Sequence, residues 1–162
     1  MIEKQPDNSH EPDYGHINTG LLEPDDIKQS SSSSSSNTHQ HKRILVVDDN
    51  SDIAFTLRIG LEDSDKTMQV YSYDNPVNAL LDFKPNFYDL LLIDVNMPLM
   101  DGFELCQKML KKDINVKVCF MTSGEINMDA VREVHPLKSI GCFIKKPITA
   151  SELVGRLRAE LE

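Results

Sequence analysis

The stretch from residue 88 to residue 102 reads Tyr88-Asp89-Leu90-Leu91-Leu92-Ile93-Asp94-Val95-Asn96-Met97-Pro98-Leu99-Met100-Asp101-Gly102. Leu90 to Ile93 is an apolar run without a polar break, the pattern of a strand buried on both faces. It stops at Asp94. Met97-Pro98 then excludes helix or central strand, because proline lacks the amide proton and pushes its predecessor toward an extended backbone; Asp101-Gly102 completes a loop. Asp94 is therefore expected at the carboxyl end of a buried strand, facing a crevice.

Upstream, Ile44 to Val47 is another short apolar strand. It ends in Asp48-Asp49, and Ser51 or Asp52 is placed to cap a helix on which Ile53, Leu57 and Leu61 share a face. Met68 to Tyr73 reads as a strand. Asp74-Asn75-Pro76 breaks it and opens a short helix through Leu80, Leu81 and Phe83. Downstream, a helix from about Gly102 to Leu110 turns Phe103, Cys106 and Leu110 inward. Val116 to Met121 is the fourth strand, ending in Thr122-Ser123-Gly124, and a helix is expected from about Met128 to just before Pro136. Cys142 to Ile144 is a fifth, shorter strand that ends in Lys145-Lys146-Pro147. Thr149 or Ser151 caps a last helix carrying Leu153, Leu157 and Leu161.

Five strand-then-helix units in succession require a parallel sheet with helices on both faces, because right-handed crossovers lay each helix against the sheet. The expected class is α/β, doubly wound. Ligands of such sheets bind outside the carboxyl ends of the strands, where the strand order reverses. Asp48-Asp49, Asp94, Thr122 and Lys146 each fall at such an end.

The chain has 162 residues, enough for one domain with a sizeable core. Residues 1–42 hold seven acidic and three basic side chains and the serine run Ser30 to Ser36, with few large apolar residues to offset chain entropy. They are expected to form a disordered acidic tail, with a regulatory arm or metal capture by His39 and His41 as the functional alternatives. Residues 43–162 are expected to form the ordered domain. No apolar stretch approaches the ~18 residues of a membrane span, and the start lacks the regions of a signal peptide, so a soluble cytoplasmic protein is expected. A net charge of −9 disfavours nucleic acid as a partner. Cys106, Cys119 and Cys142 lie in apolar segments, are odd in number and lack metal-ligand spacing. They read as small core residues with free thiols in a reducing compartment.

If the first and third strands are neighbours, the carboxylates of Asp48, Asp49 and Asp94 converge. Two such charges ~4 Å apart repel by ~4 kcal/mol at an effective dielectric of ~20, so the group calls for a cation. Hard oxygen ligands and no dedicated cage suit a Mg²⁺ that keeps waters and accepts a phosphate as a further ligand. Asp94 is then able to attack phosphorus and form an acyl phosphate, with Lys146 and the Thr122 hydroxyl offsetting charge on the phosphoryl oxygens. Competing sites fail on their own residues. Asp48, Asn50 and Asp52 imitate the start of an EF-hand loop, but Ile53 replaces its glycine and Ile59 its final glutamate. The glycine-rich phosphate loops of nucleotide-binding proteins are absent from the sequence.

Leu-Val-Val-Asp-Asp-Asn, Leu-Leu-Ile-Asp-Val-Asn-Met-Pro-Leu-Met-Asp-Gly, Met-Thr-Ser-Gly and Phe-Ile-Lys-Lys-Pro-Ile, in this order and spacing, resemble the receiver domain of response regulators in two-component signalling. The resemblance covers residues 43–162. It implies a flavodoxin-like sheet of order 2-1-3-4-5, the order cited for a chemotaxis regulator of the same family. It further implies that Asp94 accepts a phosphoryl group from a histidine kinase or phosphotransfer protein, with Mg²⁺ held by Asp49, Asp94 and the main-chain carbonyl of Asn96, and Asp48 acting largely through water. Lys146 is the implied phosphate-contacting lysine, and Lys145 a solvated neighbour. Thr122 and Phe143 are the implied switch residues, Asn96 and Gly124 the tuners of phosphoryl lifetime, and Lys146-Pro147 a cis bond. The expected function is a phosphorylation switch, not an enzyme with a separate substrate, that alters affinity for a downstream protein through the fourth helix, fifth strand and fifth helix. A receiver-like adaptor that binds without phosphorylation is the alternative. The chain ends at Glu162, one helix after Pro147, and no DNA-binding module is expected.

Overall fold

The computed structural model describes residues 41–125 and 140–162. The expected tail up to residue 40 and the helix expected from about Met128 lie outside the described residues. The elements are β1 (Lys42–Val47), α1 (Ser51–Ser64), β2 (Met68–Tyr73), α2 (Pro76–Asp82), β3 (Leu90–Asp94), α3 (Gly102–Leu110), β4 (Lys117–Thr122), β5 (Ile140–Lys145) and α4 (Ala150–Leu161). All strand pairs are parallel, in the order β2-β1-β3-β4-β5. This is the flavodoxin-like order that the resemblance implied.

Alternation along the strands divides the core between the two faces of the sheet. Leu45, Val47, Leu91, Ile93, Val118 and Phe120 point to one face with Leu105, Cys106 and Met109 of α3. Ile44, Val46, Leu90, Leu92, Cys119 and Met121 point to the other, with Leu61 of α1 and Leu153 and Leu157 of α4. Leu90 to Ile93 are wholly buried, as an unbroken apolar run predicts.

Each described helix starts on a side chain that accepts from its first free amides. Asn75 accepts from Val77 and Asn78 with Pro76 in the first turn, and Asp101 accepts from Glu104. Thr149 and Glu152 form a reciprocal capping box. At α1 the cap is Asn50, which accepts from Asp52 N at 3.0 Å and Ile53 N at 3.2 Å. Ser51 and Asp52, the expected caps, are inside the first turn instead. The inward stripe of α1 runs through Ala54, Leu57 and Leu61, so Leu57 and Leu61 face the core as expected, while Ile53 is exposed and Ala54 takes the buried place in the first turn. Leu81 of α2 is exposed as well, while in α3 Leu105 and Met109 take the deep positions and Phe103 and Leu110 are only partly buried.

Two side chains tie the open side of α1 to the rest of the domain. Glu62 Oε1 accepts from the Val70 amide of β2 at 3.0 Å. Asp65 accepts from Thr67 N at 2.9 Å and from Arg158 Nε of α4 at 2.7 Å. No helix among the described residues is long and apolar enough to cross a membrane.

The fifth strand is longer than expected, and one of its residues corrects the cysteine reading. The β4–β5 register pairs Val118 with Ile140 and Cys119 with Cys142, so Gly141 is an extra residue on β5. The bulge brings Cys142 opposite Cys119, and the two are joined as a disulfide. Only Cys106 is free, and it is buried.

Candidate functional site

The register of the central strands assembles the site. Val47 of β1 is paired with Ile93 of β3, so the chain leaves the sheet at Asp48 and Asp94 side by side. Asp94 is paired with Met121 of β4, and Thr122 with Lys145 of β5, which sets Thr122 and Lys146 at the same end. One carboxylate oxygen from each of Asp48, Asp49 and Asp94 lies within 4.8 Å of the others. Asp48 and Asp94 are buried and Asp49 is exposed.

Lys146 reaches into this acidic group. Its Nζ donates to Asp48 Oδ2 at 2.5 Å and lies 2.9 Å from Asp94 Oδ1. The second contact is an ion pair, and among the described residues Lys146 is the partner of the buried Asp94 Oδ1. Burial raises the Asp94 pKa above the usual carboxylate range; Lys146 opposes the rise, and the charges of Asp48 and Asp49 add to it. Burial works against the Lys146 charge, but its contacts with Asp48 and Asp94 outweigh burial and raise its pKa. Asp48 Oδ1 accepts from the Asn50 amide at 3.1 Å, so one short loop both caps α1 and orients an acid of the site.

The loop after Asp94 is held by backbone contacts. Val95 N donates to Met121 O at 2.9 Å and Gly102 N to Val95 O at 3.0 Å. Gly102 leaves no room for a side chain, because a Cβ there would lie 2.3 Å from the Asp94 carbonyl oxygen. Leu99, 81% exposed, has a φ of 70°, the left-handed region that leucine seldom adopts.

The remaining expected residues are placed as follows. Thr122 is buried, and its hydroxyl accepts from Gly124 N at 3.1 Å. Phe143 is partly buried and stacks on Phe120, with ring centroids 5.2 Å apart. Asn96 and Lys145 are exposed, and the Lys146-Pro147 bond is cis. Sequence reasoning missed Asn50 and Gly102. The first carried a signal, an asparagine directly after an acidic pair and before a helix. The second did not, because its constraint depends on where the Asp94 carbonyl lies.

The donor set fits a hard divalent cation. Three carboxylates converge, two of them buried, and carboxylate oxygens are the ligands such an ion takes. Among the described residues, Lys146 is the cation that pairs with the two buried carboxylates.

Comparison with known proteins agrees with this geometry. The family model described as response regulator receiver domain matches residues 44–158. The chain is 31% identical over 119 residues to the transcriptional regulatory protein PrrA of Mycobacterium tuberculosis, covering 74% of this chain and 49% of that protein. It is 31% identical over 121 residues to the DNA-binding response regulator MtrA of Mycobacterium leprae, covering 74% and 51%. The chain thus spans about half the length of the curated relatives it matches. The non-phosphorylated HemR receiver domain of Leptospira biflexa superposes with a TM-score of 0.65 at 27% identity, covering 75% of this chain and 94% of that one. A CheY-like receiver domain protein from Methanospirillum hungatei shares the fold, with a TM-score of 0.62 at 24% identity over 75% and 94% of the two chains. A parallel sheet of order 2-1-3-4-5, an acidic group at the β1 and β3 ends and a family match over residues 44–158 lead to one assignment: this chain belongs to the response regulator receiver domain family.

Proposed function

We propose that the chain is a phosphorylation switch in which Asp94 accepts a phosphoryl group from the phosphohistidine of a sensor histidine kinase or a phosphotransfer protein. The observation that carries this reading is the buried Asp94 carboxylate, 2.9 Å from the Lys146 ammonium and grouped with the carboxylates of Asp48 and Asp49. Receiver domains are signalling domains and not enzymes with a turnover substrate, so the modified protein is itself the product.

The chemistry follows from the residues present. An Asp94 oxygen attacks phosphorus, the phosphorus–nitrogen bond of the donor breaks, and its electron pair returns to the imidazole. No general base is needed, because the nucleophile is a carboxylate. Lys146 shifts its contact from Asp48 toward a phosphoryl oxygen and offsets the charge that builds there. The Thr122 hydroxyl exchanges its contact with Gly124 for one with the phosphoryl group, and the Phe143 ring turns inward behind it. Asp49, Asp94 and the main-chain carbonyl of Asn96 would hold a Mg²⁺, with Asp48 acting largely through water; when bound, the ion supplies further positive charge at the phosphoryl oxygens. Asn96 and Gly124 tune the lifetime of the acyl phosphate.

The output is altered affinity for a downstream protein, through the surface around β5, α4 and the helix expected from about Met128. The domain comprises residues 43–162, follows an acidic, serine-containing stretch of sequence and acts in the cytoplasm.

The test is incubation with acetyl phosphate, with and without Mg²⁺, scored by intact mass. A Mg²⁺-dependent phosphate adduct is expected on the wild type and none on a folded Asp94→Asn variant. Unchanged incorporation in that variant rules out Asp94 as the acceptor. No adduct on a folded, metal-binding wild type would favour an adaptor that works without phosphorylation.

A further inference from the structure

The cross-strand cysteine pair is unused by the chemistry above. Cys119 and Cys142 sit opposite each other on neighbouring parallel strands, with Cα atoms 4.7 Å apart, inside the ~4.4–6.8 Å window that a disulfide spans. The bulge at Gly141 creates this pairing. Regular pairing onward from Val118 and Ile140 would set Gly141 opposite Cys119 and leave Cys142 one residue out of step. The two sulfurs differ in access. Cys119 is wholly buried, while Cys142 is only partly buried, so an oxidant reaches the pair from the β5 side.

We infer that Cys119 and Cys142 form a reversible thiol–disulfide site that takes low-molecular-weight disulfides as oxidant and low-molecular-weight thiols as reductant, locking β4 to β5 when closed. The Cys142 thiolate attacks one sulfur of RSSR and releases RS⁻, leaving a mixed disulfide on Cys142. Cys119 then attacks the Cys142 sulfur and expels the second RS⁻, which leaves as RSH with the Cys119 proton. In sum, two protein thiols and RSSR become one protein disulfide and two RSH, and two RSH reverse the exchange.

The location gives the lock a consequence. Thr122 is three residues beyond Cys119 on the same strand, and Phe143 directly follows Cys142 and stacks on Phe120, which directly follows Cys119. Closing the pair therefore pins the two strands next to the residues that have to move in the switch. In a reducing compartment a disulfide is typically transient and responsive to redox state, not a permanent staple. Cys106 does not compete: it is buried, and burial pushes its thiol pKa up to about 12.

The full chain is equilibrated in glutathione buffers from fully reduced to fully oxidised, quenched in acid, unfolded and alkylated. Intact mass is expected to shift from three alkylated thiols to one in monomeric protein, reversibly, with no retained glutathione. Cys142→Ser is expected to lose this transition. Hydrogen exchange on the two end states is expected to show the β5 amides at least tenfold slower when the pair is closed. Three alkylated thiols in every buffer, a persistent glutathione adduct without closure, or equal β5 exchange in both states would each overturn the inference. These readouts use no phosphodonor, so they stand or fall separately from the role proposed for Asp94.

Discussion

The Lys146 ammonium and Asp48 Oδ2 are 2.5 Å apart, although 98 residues separate them in the chain, and the Asp48 side chain is 1% exposed. Removing one partner of a buried pair costs roughly 3–5 kcal/mol, because the other charge stays buried alone. Lys146 keeps some contact with water, so Lys146→Ala is expected to cost about 2–3 kcal/mol in metal-free buffer. Urea unfolding measures this. Mg²⁺ at ten times its Kd is expected to restore about 1.4 kcal/mol by binding only the folded state. A metal-free variant as stable as wild type would show that Lys146 does not compensate the buried acids.

Gly102→Ala places a Cβ 2.3 Å from the Asp94 carbonyl oxygen, a backbone atom that moves only with the whole loop. The expected cost is about 2–3 kcal/mol, the scale of overpacking, together with slowed phosphoryl incorporation. Gly124→Ala is the control, since its Cβ would come no closer than 3.9 Å to the Thr122 hydroxyl. Equal thermal midpoints for the two variants would contradict the steric argument.

Leu99 holds a φ of 70° while 81% exposed, so its conformation costs energy and its burial returns little. The left-handed region costs an L-residue ~1–2 kcal/mol, and glycine brings back ~0.5–1 kcal/mol of chain entropy. Leu99→Gly is expected to gain about 0.5–1 kcal/mol on balance. Leu99→Val should lose stability instead, and chemical denaturation of both variants gives the two signs.

Asp65 links stability to acid. Its bond from Arg158, followed by those from Thr67, outweighs burial and lowers its pKa from 3.8 to about 2. A depressed carboxylate stabilises the fold fully above its unfolded pKa and loses that contribution as pH falls through the folded one, here between about 4 and 2. Arg158 stands in solvent, so the contribution is discounted to about 1 kcal/mol. Asp65→Asn is expected to flatten the stability profile in that window and leave the slope above pH 5 unchanged.

The strand ends were legible in the sequence because an apolar run that stops at a carboxylate has few other readings. Leu90 to Asp94 and Ile44 to Asp49 therefore brought the acidic group out before any coordinates. The cap of α1 was less legible: Asn50, Ser51 and Asp52 are all good capping residues in a row, and only the loop geometry separates them. Leu57 and Leu61 keep the expected face of α1, and Ala54, too small to stand out in an apolar pattern, takes the first-turn position expected of Ile53. Cys119 and Cys142 were read as unpaired because their contact depends on a register shift at Gly141, which spacing along the chain does not encode. Gly102 was read as a turn residue, whereas its stricter role is to leave space for a carbonyl eight residues earlier.

Glu62 has a consequence for how this domain coexists with copies of itself. β2 is an outer strand of an open sheet, and its outward amides form a template on which a foreign strand could add. The Glu62 carboxylate already occupies the Val70 donor in the middle of that strand. An incoming strand would have to displace an acid from its hydrogen bond and bury its charge, so a side chain of α1 works against strand addition along β2.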